Sequence, residues 1–160
     1  MYQNNTEEGE QMLLYKQGRF YAGSISFVLP DNCCLVIFEA QNYYENGLEL
    51  TDPKESMVID ISLDYAELPS KDFLDDILEG DSFKRLSETV PICIGGLSGH
   101  RTVYEAKYDR YCEYRFELLE HDEINSLEIL IRVEKGGTDI FEAINSEMVL
   151  QLLNSIRKET

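Results

Sequence analysis

Pro91-Ile92-Cys93-Ile94-Gly95-Gly96-Leu97-Ser98-Gly99-His100-Arg101 opens the stretch that decides the fold, which runs on to Lys135. Three strand-like runs follow the glycines, at Thr102 to Ala106, Tyr111 to Leu119 and Leu127 to Lys135. The last two alternate apolar and polar residues, the period of a strand with one buried face. Cys112, Tyr114, Phe116 and Leu118 point one way, and Leu127, Ile129, Ile131 and Val133 share that face. Two registers keep the faces matched. One pairs Leu118 with Leu127 and sets Glu113 opposite Arg132. The other, slipped by two residues, sets Arg115 opposite Glu128. A slip of one residue is excluded because it inverts a whole face. The glycines invite a phosphate-cradle reading, but no Walker lysine or GxGxxG spacing accompanies them, and a strand follows where a helix is needed. A turn or bulge joining two strands is the expectation.

Upstream, Met12 to Tyr15 and Arg19-Phe20 read as two short strands around a Gln17-Gly18 turn. Ser24 to Leu29 alternates with Ile25, Phe27 and Leu29 on one face, and Pro30-Asp31-Asn32 stops it. Cys34 to Phe38 is a near-continuous apolar run, suited to a strand covered on both faces. Asn46-Gly47 signals a tight turn into a strand carrying Leu48 and Leu50. Beyond a break at Asp52-Pro53, Met57, Ile59, Ile61 and Leu63 form the inward side of another strand. Ser70 then caps a helix whose Phe73, Leu74, Ile77 and Leu78 form one apolar stripe, with Gly80 as its stop. Asp72, Asp75, Asp76 and Glu79 fall at i, i+3, i+4 and i+7 on its opposite face. Phe83 to Val90 reads as an irregular connection.

Downstream, Gly136-Gly137-Thr138 ends the sheet. Ser146 caps a last helix with Met148, Val149, Leu152, Leu153 and Ile156 as its stripe and Arg157 and Lys158 near its C-terminal dipole. The whole, 1–160, reads as one domain with residues 1–10 frayed.

This order of elements carries a family likeness. A strand ending in the Leu-Pro turn Phe27-Val28-Leu29-Pro30-Asp31 and a mid-chain helix precede Ile94-Gly95-Gly96-Leu97-Ser98-Gly99. Tyrosine-rich antiparallel strands and a C-terminal helix ending Leu153-Asn154-Ser155-Ile156 follow. From about Phe20 to Ile156 the chain resembles the Mog1/PsbP-like superfamily, which includes the bacterial DcrB-like proteins. The resemblance implies an α+β fold, an antiparallel β-sheet flanked by helices in an α/β/α sandwich. It also implies a non-enzymatic role, since members include partners of a small GTPase and accessory photosystem subunits. None of the family's binding motifs matches here, so no site residue carries over.

Charge narrows the functional classes. The chain holds 31 acids against 14 lysines and arginines, a net −17. That field repels nucleic acid and anionic membrane surfaces, leaving a basic protein as the partner expected, if any. Residues 39–81 concentrate it, with thirteen acids against Lys54 and Lys71. The helix face Asp72, Asp75, Asp76 and Glu79 is the candidate docking surface. Its plainer reading is a solvated face that supports solubility.

Catalytic signals are thin. Neither Cys93 nor Cys112 has a nucleophile motif beside His100 or His121, and a metal site at His121-Asp122 lacks further ligands. Cys33, Cys34, Cys93 and Cys112 show no CxxC spacing and read as reduced thiols, with a Cys93–Cys112 bridge open if their strands are neighbours. No cofactor is expected. No run of 18 apolar residues spans a membrane, and the N-terminus lacks the basic and apolar regions of a signal peptide, so the expected compartment is the cytoplasm. Three roles follow as expectations. The first is an acidic interaction module, with an immunity protein as one form. The second is a small-molecule binder or hydrolase with a pocket between sheet and helix. The third is a homo-oligomer paired through a sheet edge.

Overall fold

A computed structural model describes residues 14–22, 25–36, 47–64, 83–117 and 126–159. Residues 1–10, the helix expected from Ser70 with Asp72, Asp75, Asp76 and Glu79, and the His121 hairpin tip lie outside the described residues.

Alternating strands build the large sheet. It runs β4 (Cys34–Val36), β5 (Gly47–Thr51), β6 (Val58–Asp64), β11 (Ser126–Glu134), β10 (Asp109–Glu117) and β9 (Leu97–Glu105). Beyond β9, its outer edge is shared by β7 (Lys84–Arg85) and β8 (Val90–Ile94), which pair with successive parts of that strand. Every pairing is antiparallel. The β10–β11 register is the slipped one: Arg115 faces Glu128 and Phe116 faces Leu127. An ion pair forms where the other register opposes Glu117 and Glu128.

The opening glycines make a two-residue hairpin. Ile94 pairs with Leu97, and Gly95 and Gly96 both take left-handed backbone, φ +61° and +85°. This matches the twist of the flanking strands and is the glycine's reason for being there. The supposed irregular connection before it holds the short β7, then a bulge where Leu86 N and Ser87 N both donate to Val103 O.

A small sheet orders β1 (Leu14–Lys16), β2 (Arg19–Ala22), β3 (Ile25–Phe27) and β12 (Arg157–Lys158). Two helices precede β12: α1 (Ile140–Ile144), capped by Asp139, and α2 (Glu147–Ser155), capped by Ser146 as expected. Ile140, Ala143, Ile144, Val149, Leu152 and Leu153 join Ile25 and Phe27 in one core with Leu50, Ile59, Ile61, Val103, Cys112, Phe116, Leu127, Ile129 and Ile131. These sheet residues share one face, so that face is where the core sits.

Four expectations are corrected. The α/β/α sandwich is not seen among the described residues, because both helices and β3 merge into the core on a single face of the large sheet. Within the run Cys34 to Phe38, Cys34 and Leu35 are not covered on both faces: among the described residues β4 ends the sheet, and both side chains are exposed. Arg157 and Lys158 do not serve a helix dipole. The helix stops at Ser155, Ile156 turns extended, and the basic pair becomes β12 against β3. A Cys93–Cys112 bridge does not form, since β9 separates their strands and Cys112 is buried while Cys93 is exposed.

The break at Asp52 is a built loop. Its carboxylate accepts from Ser56 N at 2.6 Å and Met57 N at 3.1 Å and bonds the Ser56 hydroxyl. Burial pushes the Asp52 carboxyl up, but the hydrogen bonds from Ser56 and Met57 outweigh it and hold the group below the usual carboxylate value. A depressed folded-state pKa gives stability that is present above the unfolded value, about 3.9, and lost as pH falls through the folded one. The stability gap between the parent and Asp52→Asn is therefore expected to be open at pH 6 and to narrow below about pH 4. Urea midpoints across that range check it, and a gap that widens in acid contradicts it.

Candidate functional site

Register fixes what stands together on the sheet's other face, because directly paired residues project the same way. One row runs His100, Arg115, Glu128, Ser62. The next runs Thr102, Glu113, Leu130, Asp60, Glu49. A third runs Tyr104, Tyr111, Arg132, Val58. The charged alternates of a half-buried sheet thus collect into one polar surface around Arg115.

At its centre Arg115 Nη2 lies 2.5 Å from Glu128 Oε2 and 3.2 Å from Glu113 Oε2. Only 7% of the Glu113 side chain is exposed, against 20% for Arg115 and 22% for Glu128. One guanidinium therefore serves two carboxylates out of bulk water, where pairing is needed to offset lost hydration. Among the described residues, Glu113 Oε1, Arg115 Nη1 and the Ser126 hydroxyl are buried without a hydrogen-bond partner. Beside the triad, Tyr104 stacks on Tyr111 with centroids 5.1 Å apart, and Phe83 meets Tyr104 edge-on. Burial first, then the Glu113 charge, raises the Tyr104 hydroxyl above its ordinary value. The Thr102 hydroxyl hydrogen-bonds that of Thr89, which accepts from Arg85 Nη1.

Of the cysteine–histidine pairs, Cys112 and His100 stand on opposite faces of the large sheet, Cys93 shares the face of His100, and His121 lies outside the described residues. Cys112 lies on the core face, and burial pushes its thiol up to about 12, away from the thiolate a nucleophile needs. His100 sits on the polar face between Pro91 and Arg115. Among the described residues no group of three or more His, Cys, Asp or Glu is placed to hold a metal ion. No described helix is long and apolar enough to cross a membrane.

One cleft of about 210 Å³ opens at the sheet's rim. The Asp52 loop supplies Glu55 and Met57, β11 supplies Arg132 and Glu134, and the turn after it supplies Thr138. Sequence reading missed both this cleft and the triad. Asp52 and Ser56 four residues apart were a local sign of the loop, whereas the triad shows only once the register is known.

The fold resembles solved structures. LpqN of Mycobacterium tuberculosis, described as involved in cell envelope biogenesis, aligns with a TM-score of 0.58 at 12% identity, covering 85% of this chain and 83% of its own. A structure from Bacteroides thetaiotaomicron VPI-5482 aligns with a TM-score of 0.50 at 14% identity, covering 91% of this chain and 50% of its own. This chain spans about half of that second protein. Sequence gives no such match: no family model and no curated protein matches the chain. Likeness at these identities is one of fold. Neither neighbour is described as Mog1/PsbP-like, so an antiparallel α+β fold with known structural neighbours is what stands.

Proposed function

We propose that the protein is a non-enzymatic interaction module that presents an acidic surface to a basic protein. The observation that carries this reading is the gathering of Glu49, Asp60 and Glu128 on one face of the large sheet in a chain of net −17. Such a field speeds the encounter with a basic partner and weakens as salt screens it. Asp72, Asp75, Asp76 and Glu79 belong to the proposal on their sequence spacing alone. The three-layer α/β/α form belongs to it as well, with the stripe Phe73, Leu74, Ile77 and Leu78 as the surface a second helical layer needs.

The test is a pull-down with the full chain at low and moderate salt, beside a variant carrying Asn at 72, 75 and 76 and Gln at 79. A partner retained at low salt, shed at moderate salt and lost by the variant supports the module. No partner, or capture indifferent to salt, defeats it. Placement is a separate part of the proposal. The cytoplasm is the expected compartment, and an envelope location, suggested by the involvement of LpqN in cell envelope biogenesis, is the alternative; cell fractionation separates the two. Pairing through the β4 edge, where Leu35 is 41% exposed, predicts a dimer by light scattering.

A further inference from the structure

Arg132, like Arg101, whose Nε is buried without a hydrogen-bond partner among the described residues, differs from the other five arginines. Arg19, Arg85, Arg110, Arg115 and Arg157 each hold a hydrogen bond or an ion pair. Arg132 is half-buried in the wall of the rim cleft and makes neither among the described residues. In a chain with 31 acids, an unpaired guanidinium is kept free by geometry and not by a shortage of carboxylates. Two carboxylates, Glu55 and Glu134, line the same cleft, yet neither reaches Arg132. Opposite charges therefore face one void without closing across it.

The cleft's other wall is fixed in a strained shape. Glu55 takes left-handed backbone at φ +57°, a region that side chains other than glycine's occupy at a cost. Its N–H donates to Asp52 O at 2.9 Å, and the Asp52 carboxylate pins the two residues that follow. The loop thus sets Glu55 at the cleft in a conformation that the turn does not need a glutamate to supply.

We propose that this cleft binds a small zwitterion, with Arg132 taking its carboxylate and Glu55 or Glu134 its ammonium group. A guanidinium fork matches a carboxylate geometrically, and a flanking carboxylate matches an ammonium as a point charge. A simple anion meets the repulsion of a net −17 protein, whereas a neutral zwitterion does not. At about 210 Å³ the cleft is smaller than the sites that take drug-sized ligands, so the guest is of free amino-acid size. This binding site is independent of the acidic-surface reading and stands or falls apart from it.

The experiment titrates the full chain with each free proteinogenic amino acid in turn, following amide and Arg132 Nε–H signals by NMR. Acetate and methylammonium serve as the two single-charge halves. At least one amino acid is expected to give saturable shifts at Arg132 and Gly137, with acetate and methylammonium at least about tenfold weaker. Arg132→Gln is expected to remove saturation while keeping a dispersed spectrum, since no hydrogen bond or ion pair among the described residues depends on that side chain. Glu134→Gln is expected to keep the fold and weaken binding, or to leave it intact if Glu55 takes the ammonium, in which case Glu55→Gln weakens it. The proposal is overturned by any of three results: acetate binding as tightly as the amino acid, no saturable shift with any amino acid, or Arg132→Gln binding like the parent.

Discussion

Gly95→Ala is expected to destabilise the protein far more than Gly96→Ala, by about 3 kcal/mol against about 1 kcal/mol. Both glycines stand in left-handed backbone, so both substitutions share the steric cost that an added Cβ meets there. They differ in what surrounds them. A Cβ at Gly96 meets nothing within 4 Å, whereas one at Gly95 stands 2.0 Å from Ile156 O and 2.8 Å from Ile156 C. The obstacle is backbone and has no flexible end to swing away. Ile156 is itself 2% exposed, and the residues after it pair with β3, so the shift spreads into the small sheet. Urea denaturation of the two variants measures the difference. Equal losses would show that the hairpin tip is not lodged against the segment that follows α2.

Arg115→Met is expected to cost about 3 kcal/mol or more, because it strands the buried Glu113 without its cation. Glu113 decides the size, since its carboxylate is the most deeply buried member. Adding Glu113→Gln to Arg115→Met is therefore expected to recover a large part of the loss. A double variant no more stable than the single one contradicts the account. A loss below about 1 kcal/mol for Arg115→Met places the triad with ordinary exposed ion pairs. The double variant removes one cation and one carboxylate, so it tests the triad's contribution to stability without altering the net charge of the proposed surface.

The legible parts of this fold were those written in a local period. Alternation from Tyr111 and from Leu127 marked the two central strands, and Gly95-Gly96 marked their neighbour's hairpin. Ser146 marked the start of α2. What stayed hidden depended on partners far along the chain. An apolar run such as Cys34 to Val36 looks the same in a sheet's centre as at its edge, because strand order is not a local property. Arg157-Lys158 is too short to show any period, and α1, at five residues, is little longer. The site was harder still. Glu113, Arg115 and Glu128 look like solvated alternates until register sets them side by side, and the rim cleft draws its walls from three separate segments.

The small sheet has a consequence for how the chain comes to be made. β3 receives its second neighbour from Arg157 and Lys158, roughly 130 residues downstream. During synthesis the β1–β2–β3 meander therefore waits with one edge open while the large sheet is translated. Any ribosome that stalls before Glu147 releases a chain with that edge bare and the core without α2. Such products are candidates for edge-to-edge aggregation and for early capture by chaperones, even where the remaining strands pair as they should.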